Sequence, residues 1–299
     1  MNWTSEDRTI NKNITLIIKA LCFVLLAAIV SGCTALTSYY PNSDAPESIK
    51  NGKTDFRLAL TQTFGQPLSP IVRNVALPYG NLRFTEGLDE HLHKTLKPLD
   101  IILVRSRPAL TRFAIPSHFT HAVIWLGTQA ERDALGISDL PEIKAYRKQL
   151  AAGKIVYESA GSEVRLNDIR ALKNTNEMVI MRPAPMTKER YQQRYAAMFK
   201  NLGVGFDTNF DLLDRTKLTC MEITALVFPE FNLPARYTTG RYTLIPDDLA
   251  HLAASSNDTI SVVHYIKPKG DKEFSVLNAR ALKEVLTEPK RRTRHARSR

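Results

Sequence analysis

One cysteine stands out as a residue that could catalyse a hydrolysis. Cys220 follows Thr219, a residue type that often caps the N-terminus of a helix, so we expect the thiol in the first helical turn. There the positive end of the helix dipole favours the thiolate, the form that attacks carbonyl carbons. A nearby imidazole would take and return the proton, a polar group would orient that imidazole, and backbone N–H groups at the helix end would stabilise an oxyanion.

The N-terminal segment resembles an export signal, and its cysteines bear on whether the Cys220 thiol is free in the mature protein. Residues 1–19 are polar with three bases, and residues 20–30 form an apolar run that is short for a transmembrane helix, which needs about 20 residues. The run ends in Val-Ser-Gly before Cys33, which resembles the lipobox of bacterial lipoproteins. Residues 1–32 are therefore predicted to be a signal peptide and Cys33 the lipidated N-terminus; an uncleaved anchor, or an ordinary signal peptide with a chance cysteine, is the alternative.

The number of cysteines limits the roles that are open to Cys220. Of the three cysteines, Cys22 leaves with the signal peptide and Cys33 carries the lipid, so Cys220 has no partner for an internal disulfide. A single cysteine in an exported protein is either reactive or buried and inert. These two outcomes correspond to an enzyme and to a binding protein.

The charge of the chain is strongly basic and concentrated at one end. The net charge is +11, and the twelve residues after Thr287 hold six bases and one acid. We interpret residues 271–299 as a disordered basic tail. Because the protein is expected to leave the cytoplasm, anionic lipid or cell-wall polymer is the expected partner and nucleic acid is not. A solvated tail without a partner is the alternative.

Between the ends, residues 33–52 are rich in Pro, Ser and Asn and indicate a tether, and residues 53–270 are expected to form the folded domain. Apolar, β-branched runs predict strands at 100–105, 120–127, 153–159, 164–166, 177–183 and 262–266. Helical patterns occupy residues 128–152, 187–199 and 218–228. The predicted class is α+β, with an antiparallel-leaning sheet packed with helices.

Four short motifs follow one another in an order that is typical of one group of enzymes. They are DIIL from Asp100, THAVIWLG from Thr120, VYES from Val156 and TCME from Thr219. This order resembles the circularly permuted papain-like (NlpC-type) hydrolases, and most closely the YaeF/YiiX group, some of which are lipoproteins. The resemblance covers residues 96–250, taken as the core of the domain. Leu99 stands where the family usually has glycine, and Met221 where serine is common.

The resemblance implies roles for individual residues. His121 would be the acid/base that serves Cys220, and Glu158 is our choice to orient it, because a neighbouring strand would place a carboxylate beside the ring; strand alternation leaves a solvent-facing glutamate open. His118 lies in the loop before the strand and is the rival histidine, more suited to the substrate rim. Asp207 is a second candidate for the rim. Glu222 is expected to form structural hydrogen bonds.

These observations predict an exported cysteine hydrolase, lipid-anchored in the bacterial cell envelope, that cleaves an amide or acyl bond of a cell-wall peptide or a lipid. An inactive lipid- or cell-wall-binding lipoprotein on the same scaffold, or a lipid acyltransferase, is the alternative. No cofactor or metal is expected, because no cluster has the spacing of metal ligands and no glycine loop suits a phosphate. Thr34 lacks the acidic character of an inner-membrane retention signal, so the outer membrane is favoured.

Overall fold

Residues 80–106, 117–238 and 240–287 are described by the structure, which is a computed structural model. The predicted signal peptide, Cys33, the tether and the last twelve residues lie outside these ranges, so the expectations for them remain predictions. Within the described ranges, no helix is both long enough and apolar enough to span a membrane.

The described chain contains both strands and helices. The strands are β1 (Ile101–Arg105), β2 (His121–Trp125), β3 (Val156–Ala160), β4 (Glu163–Asn167), β5 (Glu177–Pro183), β6 (Arg236–Thr238), β7 (Arg241–Thr243), β8 (Ile260–Lys269) and β9 (Glu273–Leu277). The α-helices are α1 (Leu88–Thr95), α2 (Gln129–Ala134), α3 (Pro141–Lys144), α4 (Arg147–Ala151), α5 (Arg170–Lys173), α6 (Lys188–Lys200), α7 (Cys220–Val227), α8 (Pro246–Ala254) and α9 (Ala279–Thr287). Short 3₁₀ turns occupy Asn81–Phe84 and Pro229–Phe231. All six predicted strands and all three predicted helical regions are confirmed.

Seven of these strands form one sheet in the order β4-β3-β2-β1-β5-β8-β9, and every neighbouring pair is antiparallel. Strands β6 and β7 form a separate hairpin. Helices cover the sheet, so the α+β class and the antiparallel sheet are confirmed.

The sheet is apolar on both faces, which explains the continuous apolar runs in the sequence. Along β1, Ile101 and Leu103 pack in one hydrophobic cluster, and Ile102 and Val104 pack in the other. Helices α6, α7 and α8 contribute to the first cluster, whereas α1 contributes to the second. Because successive side chains of a strand point to opposite faces, a strand with a packed layer on each face needs apolar residues throughout.

Leu99, which stands where the hydrolases that this chain resembles usually have glycine, adopts a backbone conformation that suits glycine. Leu99 has a φ of 67°, in the left-handed region that glycine adopts without steric cost. Its side chain is nevertheless fully buried in the first cluster. At this position the chain therefore carries backbone strain together with a core side chain that glycine would not supply.

The C-terminal boundary of the domain differs from the prediction. The sequence predicts a disordered tail from residue 271, but β9 pairs with β8, and α9 buries Leu282 completely against the core. Val285 and Leu286, which also pack against the core, lie three and four residues beyond Leu282. That helical spacing is visible in the sequence, but the charged residues around it favoured the interpretation of a solvated tail. Only the residues after Thr287 remain a predicted tail.

Candidate active site

Cys220 is the first residue of α7, as its sequence context predicts. The Thr219 side chain accepts a hydrogen bond from the Glu222 backbone N–H at 3.2 Å, and the Glu222 carboxylate accepts one from the Thr219 N–H at 2.8 Å. This reciprocal capping box satisfies two N–H groups that a helix leaves unpaired at its start. It holds the thiol at the positive end of the helix dipole, and it confirms Glu222 as a structural hydrogen-bonding residue.

His121 is the first residue of β2 and lies between the thiol and a carboxylate. Its Nε2 lies 2.9 Å from Oε2 of Glu158, and its ring also interacts electrostatically with the Cys220 side chain. Because Nε2 faces Glu158, Nδ1 is the ring nitrogen left for the thiol. The structure therefore brings the three residues predicted from the sequence together, with His121 between the thiol and the carboxylate.

The register of the sheet explains why Glu158 meets His121. Glu158 lies opposite Val123, two residues along β2 from His121, so both side chains share one face of the sheet. Cys220 instead packs in the hydrophobic cluster of the opposite face. The thiol and the imidazole therefore meet at the end of the sheet where β2 begins.

Two residues that sequence reasoning missed hold the Glu158 carboxylate. Its second oxygen, Oε1, accepts hydrogen bonds from Nε of Arg165 at 2.9 Å and from Nδ2 of Asn167 at 2.7 Å. Both donors belong to β4, where their spacing of two puts them on one face, and Arg165 lies directly opposite Glu158. The β3–β4 hairpin was predicted, so its register was the missing information.

These contacts lower the pKa of the Glu158 carboxyl. Burial alone would raise the pKa of this carboxyl, but the hydrogen bond and charge of His121, followed by the charge of Arg165 and the hydrogen bond from Asn167, lower it to about 2. Glu158 is therefore a carboxylate at any physiological pH.

The same contacts favour the charged form of His121. Burial lowers the pKa of the imidazole, but the hydrogen bonds and charges of Cys220 and Glu158 outweigh burial and raise it to about 10. An imidazolium beside the sulfur at neutral pH can donate a proton to a leaving group.

The first turn of α7 supplies donors near the sulfur. Among the hydrogen bonds between described residues, none uses the backbone N–H of Cys220 or of Met221. Cys220 itself is only 5% exposed, whereas the His121 side chain is 22% exposed. Of the two side chains, the imidazole is therefore the more accessible to solvent.

His118, the rival histidine, belongs to a separate cluster. Its Nε2 lies 2.9 Å from Oε2 of Glu177, whose carboxylate also accepts hydrogen bonds from Nη1 of Arg105 at 2.8 Å and from the Tyr265 hydroxyl. The Asp247 carboxylate accepts the backbone N–H of His118. Burial opposes ionisation of Glu177, but hydrogen bonds from His118 and Tyr265 and the nearby charges lower its pKa to about 2. His118 is half-buried in this cluster, and its predicted place on the substrate rim remains a prediction.

Asp207, the second candidate for the rim, is buried in the loop before α7, and its place on the rim remains a prediction. Its side chain is fully buried, and its two oxygens accept the backbone N–H groups of Asn209 at 2.8 Å and Asp211 at 2.6 Å. Burial raises the pKa of this carboxyl. The residue shapes the loop before α7, as short acidic side chains commonly do in turns.

Comparison with known proteins identifies the family. The sequence profile described as permuted papain-like amidase enzyme, YaeF/YiiX, C92 family, matches residues 95–284. The chain is also similar to a solved structure titled as the crystal structure of metalloprotein yiiX from Escherichia coli O157:H7, with 13% sequence identity, a TM-score of 0.35, and coverage of 61% of this chain and 97% of that one. No curated protein matches the sequence significantly. The match over most of the chain shows that this protein belongs to the permuted papain-like amidases of the YaeF/YiiX type, a family of cysteine hydrolases.

Proposed function

We propose that this protein cleaves a carboxylic acyl bond, in an amide or an ester, with Cys220 as nucleophile, His121 as acid/base and Glu158 as the group that orients His121. The observation that carries the proposal is the position of the His121 ring, which interacts with the Cys220 side chain on one side and lies 2.9 Å from the buried Glu158 carboxylate on the other. The capped start of α7 supports it, because it places the sulfur beside two N–H donors without acceptors among the described residues.

In the first half of the reaction, the Cys220 sulfur attacks the carbonyl carbon and forms a C–S bond, while the carbonyl oxygen gains negative charge. The N–H groups of Cys220 and Met221 stabilise that oxyanion. The His121 imidazolium then gives its proton to the leaving nitrogen or oxygen as the scissile bond breaks, which leaves a thioester.

In the second half, neutral His121 takes a proton from a water molecule that attacks the thioester carbon. The C–S bond breaks, the acid product leaves, and the thiolate–imidazolium pair is restored. Glu158 keeps its charge throughout and holds the ring in the orientation that serves both steps. An alcohol or amine in place of water would make the same site an acyltransferase.

One observation favours a second candidate, an inactive binding protein. Cys220 is almost completely buried, as inert structural cysteines usually are. The experiment that separates the candidates is labelling with a thiol-reactive acyl probe at neutral pH, followed by hydrolysis assays on muropeptides and on phospholipids. An enzyme labels at Cys220 and turns over one of these substrates.

Variants make the test specific. Cys220→Ser should abolish turnover with little change in stability, because serine is close to cysteine in size. His121→Ala should also abolish turnover, but at a cost in stability, because the charged ring pairs with the buried Glu158 carboxylate. His251→Ala, at an exposed histidine of α8, is the matched control and should behave like the unsubstituted protein. Equal labelling of the protein and of its His121→Ala variant would contradict the enzyme proposal.

We also propose that the chain is an exported lipoprotein anchored at Cys33, with the outer membrane as its location and the basic residues after Thr287 contacting anionic lipid or cell-wall polymer. The apolar run, the Val-Ser-Gly-Cys ending and the run of bases support this. The test is the mass of the mature N-terminus and membrane fractionation of Cys33→Ser. An intact segment 1–32, or unchanged sorting of the variant, would contradict it.

A further inference from the structure

The last residue of the VYES motif carries a buried hydroxyl that the proposed mechanism does not use. Ser159 follows Glu158 on β3, so the two side chains point to opposite faces of the sheet. Val164, the strand partner of Ser159, packs in the first hydrophobic cluster, to which α7 also contributes. Ser159 is completely buried. Its side chain therefore lies on the face of the sheet that α7 covers.

The Ser159 hydroxyl binds the segment that leads into the nucleophile. Its Oγ donates to the Leu218 carbonyl at 2.6 Å, within the ordinary range for an O–H donor. The Asp207 backbone N–H donates to the same carbonyl at 3.3 Å. At the other end of this peptide group, the Thr219 N–H donates to the Glu222 carboxylate at 2.8 Å. Three hydrogen bonds therefore hold the peptide group between Leu218 and Thr219, two at its carbonyl and one at its N–H.

The orientation of this peptide group determines where the sulfur lies. Thr219 is the N-cap of α7 and Cys220 is the next residue, so a rotation of the peptide would turn the cap and displace the thiol. Of the three hydrogen bonds, one comes from the loop before α7 and one from α7 itself. The bond from Ser159 is the one that joins the peptide to the sheet, and His121 lies on that sheet.

We propose that Ser159 is a positioning residue, whose hydroxyl holds the Cys220 sulfur in place beside the His121 ring. It acts through the Leu218 carbonyl and not by contact with the reacting atoms. Glu158 orients the imidazole from one face of β3, and Ser159 positions the thiol from the other, so two consecutive residues serve both members of the catalytic pair. The kinetic part of this inference rests on the proposed function, whereas the positioning part rests on the contacts alone.

The kinetic test compares Ser159→Ala with a matched loss of a buried hydroxyl elsewhere. On p-nitrophenyl acetate, kcat of Ser159→Ala should fall about tenfold or more while KM stays within about twofold, because a displaced nucleophile weakens the transition state and not substrate binding. The control is Thr85→Val, since the Thr85 hydroxyl donates to the Leu82 carbonyl at 2.7 Å and Leu82 packs in the second cluster. Its kcat should be unchanged. Equal losses of kcat in the two variants would contradict a positioning role.

The positioning itself is measured without activity, by an NMR titration of the full chain with isotope-labelled histidine. Burial lowers the pKa of His121, whereas the charges of Cys220 and Glu158 raise it to about 10. A displaced sulfur contributes less to this rise, so the His121 midpoint should move to lower pH in Ser159→Ala and stay in place in Thr85→Val. The His121 signal is assigned by its loss in His121→Gln. An unmoved midpoint in Ser159→Ala overturns the proposal.

A second variant and the remaining outcomes separate this inference from the proposed function. Ser159→Thr keeps the hydroxyl on a side chain that suits a strand, so it should restore most of kcat and the His121 midpoint. If threonine and alanine cause equal losses, packing is responsible and the inference is wrong. A moved midpoint in a protein that neither turns over substrate nor labels at Cys220 supports the positioning and overturns the proposed function. Normal kcat and midpoint in Ser159→Ala overturn this inference and leave the proposed function intact.

Discussion

Nε2 of His121 lies 2.9 Å from a Glu158 oxygen, and the antiparallel register of β2 and β3 holds the two side chains on one face of the sheet. The other Glu158 oxygen is occupied by donors from β4, so the carboxylate cannot turn away from the ring. The His121 ring is therefore held in one orientation relative to the thiol, and the Glu158 carboxylate stabilises its positive charge.

This relationship predicts the effect of Glu158→Gln. The amide keeps the size of the side chain but removes its charge, so we expect kcat/KM to fall on the order of 10- to 100-fold, less than for the Cys220 and His121 variants. Because the Glu158 charge helps to raise the pKa of His121, the alkaline limb of the pH–rate profile should move to lower pH. Glu163→Gln, at an exposed residue of the same hairpin, is the control. An unmoved alkaline limb would contradict the orienting role.

The raised pKa of His121 also predicts a pH dependence of stability. A histidine whose folded pKa lies above the ordinary 6.5 stabilises the fold below 6.5, and this contribution is lost as the pH rises through about 10. His121→Gln should therefore cost on the order of 2 kcal/mol at pH 6 and much less at pH 10, with the solvent-exposed part of the ring reducing the full effect. Urea unfolding at both pH values, with His251→Gln as control, measures the difference. A cost that is equal at the two pH values would contradict the assignment.

Glu177 predicts a loss of stability at low pH, whereas His121 predicts one at high pH. Its pKa is lowered from 4.5 to about 2, so its contribution to stability is present above pH 4.5 and is lost as the pH falls through 2. Glu177→Gln should lower the unfolding temperature at pH 7, by an amount equivalent to roughly 1–2 kcal/mol, and the deficit should shrink as the pH approaches 2. A deficit that persists at low pH would mean that Glu177 acts through packing.

The capping box on α7 predicts that Thr219→Ala affects both stability and the nucleophile. Loss of an N-cap typically costs about 1 kcal/mol. Thr187→Ala removes the equivalent cap of α6, where the Thr187 side chain accepts the Arg190 N–H, and should cost a similar amount. Only Thr219→Ala should slow alkylation of Cys220, since only α7 carries the thiol. Equal alkylation rates in the two variants would show that the cap does not position the sulfur.

The φ of 67° at Leu99 predicts that glycine is a more stable replacement than alanine at this position, the reverse of the usual order. Leu99→Ala loses the buried side chain, at about 2–5 kcal/mol, and keeps the backbone strain. Leu99→Gly loses the same packing but relieves roughly 1 kcal/mol of strain, so it should be the more stable of the two. At Leu103, a buried strand residue of the same cluster without positive φ, alanine should be the better replacement. Urea unfolding of the four variants tests this, and the same order at both positions would contradict the strain.

The sequence by itself determined six of the seven strands of the sheet, three helical regions and the first residue of the helix that carries Cys220. These follow from local causes: apolar runs in strands covered on both faces, helical spacing of apolar residues, and a threonine suited to cap α7. It also pointed to His121 and Glu158, through the resemblance to a family whose motif order it shares.

The tertiary structure decided which polar side chains meet. Arg165 and Asn167 support Glu158 only because β4 pairs with β3 in one register, and a shift of one residue would turn both side chains to the other face. The same kind of non-local contact joins His118 to Glu177, and it places β9 and α9 in the domain. A linear pattern reports which residues are apolar or polar, whereas strand register and loop closure depend on contacts between distant residues.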